Sequence, residues 1–123
     1  MAKDRLPIVT VKDEFTPSAY NDPALAKRIT DTMADWLGKG TLIKRRPTMG
    51  GEDFGMYGRT GHKIPIFMFA LGTVSSDLLK RFRAAGKPLP MVHSSTYAPD
   101  IEPSLRTGVT ATTAAALDLL VKK

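Results

Sequence analysis

The sequence predicts an α/β fold built from three main helices and about three strands. Two observations predict it: apolar residues recur at helical spacing along three segments, and short β-prone or continuously apolar runs alternate with those segments. The composition is that of an ordinary folded domain, with 42% hydrophobic, 24% charged and 7% aromatic residues, and it excludes a wholly disordered or collagen-like chain. A compact chain of 123 residues would bury about two-thirds of its unfolded surface.

Three segments are predicted to be strands. Residues 8–15 are rich in β-branched side chains, although their alternation is imperfect, and residues 41–44 form a shorter candidate. Residues 64–71 are apolar without alternation. That pattern is typical of a strand covered on both faces, as in a parallel sheet.

The strongest helix prediction covers residues 23–37. Asp22 can cap its N-terminus, Pro23 suits the first helical position, and Gly38 suits the position just past its end. Its apolar side chains recur every three to four residues: Leu25, Ile29, Met33, Trp36 and Leu37.

Two further helices and a short helical turn are predicted. Ser75, Ser76 and Asp77 begin a helix that runs to about residue 85, and a glycine turn precedes a short helix that runs through Tyr57. The last helix begins near Pro103 and runs to residue 121. We expect it to bury an apolar stripe that includes Leu105, Val109, Ala116, Leu119 and Leu120.

The charge and composition bear on partners and location. The net charge of +6 suggests an anionic partner, but the basic residues are scattered and no nucleic-acid motif accompanies them, so nucleic-acid binding ranks last. The longest strongly apolar run, residues 64–71, is far shorter than the ~20 residues that span a bilayer, so no membrane partner is expected. The first residues lack a signal-peptide core, which predicts a cytoplasmic protein.

Few residues can carry catalytic or metal chemistry. The chain has no Cys, so thiolate ligands and thiolate nucleophiles are excluded for this sequence. His62 lies in a polar loop and is interpreted as an ordinary exposed histidine. His93 either fixes its loop by hydrogen bonds or acts as a base or metal ligand, and the residues alone do not decide between these roles.

A second candidate site follows a pair of glycines. Gly50 and Gly51 would let the backbone approach a ligand or adopt positive φ, and Glu52 or Asp53 would cap the short helix that follows. A plain turn with an acidic N-cap is the simpler interpretation. The sequence shows no complete zinc or dizinc ligand set, which needs three or more ligands.

Four motifs in order carry a resemblance to a known family. They are residues 21–25 (NDPAL), residues 49–54 (MGGEDF), the apolar run that ends at Gly72, and residues 93–100 (HSSTYAPD), followed by a closing helix. Together they resemble the C-terminal portion of the metal-dependent aminoacylase, hippurate hydrolase and auxin-conjugate amidohydrolase family, which belongs to the dizinc exopeptidases. Ser95 and Tyr97 depart from the family's commoner Pro and Phe.

The resemblance implies a site that is only partly present in this chain. His93 resembles the last metal ligand of the dinuclear centre, and Gly50, Gly51 and Glu52 resemble the loop that lines the substrate cleft, with Asp53 holding that loop. No residue of the chain is expected to act as a catalytic residue. The other ligands and the glutamate base of the family lie upstream of the matching region. The implied cofactor is zinc or another divalent metal, such as manganese or nickel, in the complete enzyme.

The resemblance also sets the expected architecture and function. It implies an incomplete three-layer sheet of the zinc-exopeptidase type, with three to four strands. Residues 1–17 would be the end of a lid domain and a connector, and residues 18–123 the C-terminal part of the catalytic domain. The expected function is to complete an enzyme that cleaves N-acyl amino acids or small peptides, inactive alone and dependent on a missing N-terminal half or a homo-oligomer. The alternative is a small non-catalytic binding or oligomerisation module.

Overall fold

The computed structural model describes residues 6–121, and these form three α-helices and one 3₁₀ helix. Helix α1 spans Pro23–Leu37, the 3₁₀ helix Asp53–Arg59, α2 Ser76–Ala84 and α3 Ile101–Leu120. All four helices were predicted from the sequence. The terminal residues 1–5 and 122–123 lie outside the described part. Each of the two predicted domains, residues 1–17 and 18–123, therefore includes residues that the structure does not describe.

The caps of α1 and α2 are those that the sequence predicts. The Asp22 carboxylate accepts a hydrogen bond of 2.8 Å from the Leu25 amide, and Gly38 ends α1 with a φ of 95°. A residue other than glycine would be strained there because its Cβ disfavours positive φ. The Ser75 hydroxyl accepts a bond from the Leu78 amide at the start of α2.

Helix α3 begins two residues before the predicted Pro103, at Ile101. A proline is tolerated there because the amides of the first turn have no partner within the helix. The predicted apolar stripe is wrong, since Leu105, Val109 and Leu120 are 64%, 62% and 81% exposed.

The core lies between α1 and α3. Ile29 and Met33 of α1 are buried against Ala111 of α3. Small side chains on α3 let the two helix axes approach closely, and this explains why alanines rather than leucines face the partner. Leu25, Leu37, Phe67 and Ala115 pack around this cluster.

An ion pair closes one end of this helix pair. The Arg28 guanidinium donates to the carboxylate of Asp118 and to its main-chain carbonyl, each at 2.5 Å. That carbonyl is one of the last four in α3, and these carbonyls accept no hydrogen bond from within the helix. Arg28 therefore caps α3 as well as pairing with its charge.

The predicted α/β fold, an incomplete three-layer sheet of the zinc-exopeptidase type, is wrong. From residue 6 to residue 121 no segment pairs as a β-strand. In the first predicted strand, residues 8–15, the side chains of Ile8, Val9 and Val11 are more than 80% exposed. Residues 41–44 are likewise exposed. β-Propensity describes how well a side chain fits a pleated surface. Residues 8–15 and 41–44 have no neighbouring strand to pair with, so their β-prone side chains do not produce a strand.

Residues 64–71, here called the extended segment, are held along one side only. Asp22 donates its amide to the carbonyl of Ile66 at 2.9 Å, and the Asn21 side chain both donates to and accepts from the main chain of Met68 at 2.8 Å. Main-chain groups of residues two apart point to the same side, as in an extended chain. The segment is also not covered on both faces, because Met68 and Phe69 are each 40% exposed.

The surface of the chain is much larger than that of a compact protein. A folded monomer of 13.4 kDa is expected to expose about 6,500 Å² and its unfolded chain about 19,400 Å². The observed surface is 10,974 Å². The chain therefore buries about 44% of its unfolded surface rather than the predicted two-thirds, and about 4,500 Å² remains that a compact fold would cover.

Candidate functional site

His93 lies in an exposed loop that is tied to the rest of the chain at one end. The loop turns through hydrogen bonds from the Ser94 amide to the Met91 carbonyl and from the Tyr97 amide to the Ser94 carbonyl, both 3.1 Å. The hydroxyls of Tyr97 and Thr73 form a hydrogen bond. These bonds fix the base of the loop beside the end of the extended segment.

The backbone of His93 is left-handed, with a φ of 70°, and its side chain is exposed. Histidine is among the residues that adopt this conformation more often than most, at a modest cost. No hydrogen bond of the imidazole is present among residues 6–121. The predicted role of fixing the loop by side-chain bonds is therefore filled by Ser94, whose hydroxyl lies 2.9 Å from that of Thr96.

The second candidate site begins the 3₁₀ helix. Glu52 is the N-cap, and its carboxylate accepts a hydrogen bond of 3.2 Å from the Phe54 amide. Asp53 is the first helical residue and is exposed. Gly50 and Gly51 do not adopt positive φ, so the turn does not need glycine for that reason. In this structure the acidic N-cap interpretation describes what these residues do.

The 3₁₀ helix packs closely against residues 15–22, here called the connector, which precede α1. A Cβ added at Gly55 would lie 2.6 Å from the main-chain oxygen of Ser18, and one added at Gly58 would lie 3.2 Å from the Ile66 side chain. The Arg59 guanidinium lies 5.5 Å from the centre of the Phe15 ring, within the range of a cation–π contact. The glycines at 55 and 58 allow the contacts that position Glu52.

The two candidate groups attach at different places, one within the extended segment and one two residues past its end. The 3₁₀ helix contacts it at Ile66, and the His93 loop is tied to Thr73. Seven residues of extended chain span about 23 Å. No hydrogen bond or salt bridge joins Glu52 to His93 among the described residues.

No metal site is assembled within the described part of the chain. It holds no group of three His, Asp or Glu side chains that could bind a metal ion. His62, the other histidine, is exposed in a turn, as predicted. One exposed imidazole does not make a zinc site, because such a site needs three or more protein ligands. The residues present here do not fit a complete metal centre.

Two features at the extended segment were not predicted. The first is the pair of hydrogen bonds between the Asn21 side chain and the Met68 main chain, one donated by each residue. The second is a cleft of about 290 Å³ lined by Tyr20, Asp22, Arg59 and Lys63 among others. Its residues come from three separate parts of the chain, so no local pattern could have identified it.

Comparisons with protein-family models, curated proteins and solved structures find no match to this chain. No helix within residues 6–121 combines the length and the apolar character needed to cross a membrane.

Proposed function

We propose that the chain is the C-terminal portion of a metal-dependent amidohydrolase that cleaves N-acyl amino acids or small peptides, and that it acts in the cytoplasm. In this proposal His93 supplies one ligand to the metal, Gly50, Gly51 and Glu52 form part of the wall of the substrate cleft, and the chain is inactive alone. The four motifs in family order, residues 21–25, 49–54, 64–72 and 93–100, support the choice of family.

The observation that carries the proposal is the uncovered surface. A stable protein–protein interface buries about 800 Å² on each partner, and this chain exposes about 4,500 Å² more than a compact monomer. Twenty-five large hydrophobic side chains are exposed among the described residues. A chain with this surface is expected to work in contact with further polypeptide.

His93 suits the role of a ligand supplied to a site completed elsewhere. Its imidazole is exposed and its loop is anchored through Thr73, so it can reach a neighbouring polypeptide from a fixed base. When bound, the metal would activate a water molecule for attack on the amide. Because the remaining ligands and the base are not among this chain's described residues, no catalytic step is assigned to it.

Activity measurements on the chain alone and in its complex test the proposal. The purified chain with added zinc, manganese or nickel should not hydrolyse hippurate or N-acetylmethionine. The complex isolated from source cells through a tag on this chain should hydrolyse one of them. His93→Ala should abolish that activity, and the matched control His62→Ala should preserve it. Hydrolysis by the chain alone, or a complex whose activity survives His93→Ala, would refute the proposal.

The second candidate function is a non-catalytic oligomerisation module. The extended segment favours it, because this segment presents apolar side chains and is held along one side only. This function needs neither a metal nor His93.

A further inference from the structure

The extended segment has one edge whose main-chain groups are unpaired. Asn21 and Asp22 bond the main chain at residues 66 and 68. Because alternate residues of an extended chain direct these groups to opposite sides, the amides and carbonyls of Phe67, Phe69 and Leu71 point the other way. Within residues 6–121 none of these groups has a hydrogen-bond partner. We call these three residues the open edge.

We infer that the open edge pairs with the open edge of a second copy of this chain, in an antiparallel arrangement about a twofold axis at Phe69. Such pairing is self-complementary. Phe69 faces its own copy, and Phe67 of each chain faces Leu71 of the other. Each facing pair exchanges two hydrogen bonds, so the three pairs form six. The inference does not depend on the amidohydrolase assignment.

The two ends of the open edge limit the ladder symmetrically. In this register Pro65 of one copy faces Thr73 of the other. Pro65 has no amide hydrogen to donate, and the Thr73 carbonyl already accepts a bond of 2.7 Å from the Asp100 amide. The main-chain groups available for pairing are therefore centred on Phe69. Two identical edges can pair over their full length only when these groups are symmetric about the twofold axis, as they are here.

The side chains and the exposed area also fit a second copy. Natural edge strands are protected from such pairing by charged side chains or by proline, among other devices. The extended segment carries no charged residue, and its one proline, Pro65, lies outside the open edge. An open apolar groove of about 480 Å³ continues from Phe69 and Leu71 to Leu105 and Val109 of α3. The roughly 4,500 Å² of excess surface is several times what one side of a standard interface buries.

The net charge of +6 on each copy opposes association. At physiological salt this repulsion is screened beyond about 8 Å. The dimer should therefore strengthen as salt rises. An acidic partner or a nucleic acid on the same surface would be released by salt instead.

Single-cysteine variants test the register directly, because the natural chain has no Cys. Facing residues of a hydrogen-bonded antiparallel pair have Cα atoms about 5.5 Å apart, within the range of a disulfide. Phe69→Cys should form a covalent dimer under mild oxidation. Met68→Cys is the matched control, since Met68 is equally exposed at 40%. Met68 faces residue 70 of the other copy rather than Met68 itself. The two cysteines of this variant would therefore lie farther apart, and their disulfide should form at least about tenfold more slowly.

Sedimentation of the full chain without oxidant completes the test. The wild type and Phe69→Leu should sediment as a dimer of twice 13.4 kDa. Phe69→Pro, which removes the central donor, should be monomeric with unchanged helical circular dichroism. The inference is wrong if the wild type is a monomer, which would leave the edge to a different polypeptide, or if it forms an open series of aggregates. Equal cross-linking at positions 68 and 69 would also overturn it.

Discussion

Replacing Gly55 by alanine should destabilise the chain, although the same change stabilises many exposed positions. The added Cβ would lie 2.6 Å from the main-chain oxygen of Ser18 and 3.0 Å from its carbonyl carbon. Ordinary contact begins at 3.4 Å, so the 3₁₀ helix and the connector must separate by about 0.8 Å. The added Cβ and the Ser18 carbonyl are both fixed by the backbone, so no side-chain rotation can relieve the close contact.

The size of the effect follows from two opposing contributions. Overpacking of this kind costs about 1–3 kcal/mol, and the loss of glycine's freedom in the unfolded chain returns about 0.4–1 kcal/mol. The mid-values of these ranges give an expected net loss of about 1.3 kcal/mol and the extremes at most about 2.6 kcal/mol. At an m-value near 2 kcal/mol/M, a loss of about 1.3 kcal/mol lowers the urea midpoint by about 0.7 M.

Urea unfolding followed by circular dichroism measures this loss. Gly61→Ala is the matched control, because a Cβ at Gly61 meets no atom within 4 Å and its φ is not positive. It should be neutral or stabilising by up to about 1 kcal/mol. If Gly55→Ala proves as stable as Gly61→Ala, the 3₁₀ helix does not pack on the Ser18 main chain as closely as the structure shows.

Two further predictions concern the bonds that hold α3 and the extended segment. Arg28→Ala and Asp118→Ala should each lower the free energy of unfolding in urea by about 1 kcal/mol, with a coupling of about 0.5–1 kcal/mol in the double-mutant cycle. A coupling of this size is expected because Asp118 is mostly buried while Arg28 is 43% exposed. Additive losses would show that the pair is not coupled. Asn21→Ala should raise the hydrogen-exchange rate of the Met68 amide about tenfold, since the amide loses its acceptor. Asn21→Asp keeps an acceptor and should protect this amide better than alanine, and equal exchange rates in the wild type and both variants would contradict the bond.

The helices could be predicted from the sequence because their signals are local. Asp22, Pro23 and Gly38 each act on a backbone group within a few residues, so no distant contact decides where α1 begins and ends. The stripe of α3 could not be predicted, because leucines at helical spacing do not show which face its partner covers. That choice depended on α1, which needed the small side chain of Ala111.

The three predicted strands do not form within residues 6–121, and the sequence could not show this because a strand requires a partner. Residues 64–71 have the composition of a buried strand, but their neighbours are the side chain of Asn21 and the amide of Asp22 rather than another strand. For the candidate site, the sequence correctly singled out Glu52 as a possible helix cap, and the structure leaves His93 exposed without further ligands in the described residues. Its role as a metal ligand stays a prediction.

The pairing of α1 with α3 sets the order in which the chain can fold. The only extensive contacts between helices of the described region join α1 and α3, which lie far apart in the sequence. Residues 38–100, 63 residues in all, separate Leu37 from Ile101. Closing a loop of that length costs about 4 kcal/mol of chain entropy. During synthesis Ile29 and Met33 remain without their partner until Ala111 has left the ribosome, so the burial of α1 waits for the synthesis of all the residues between the two helices.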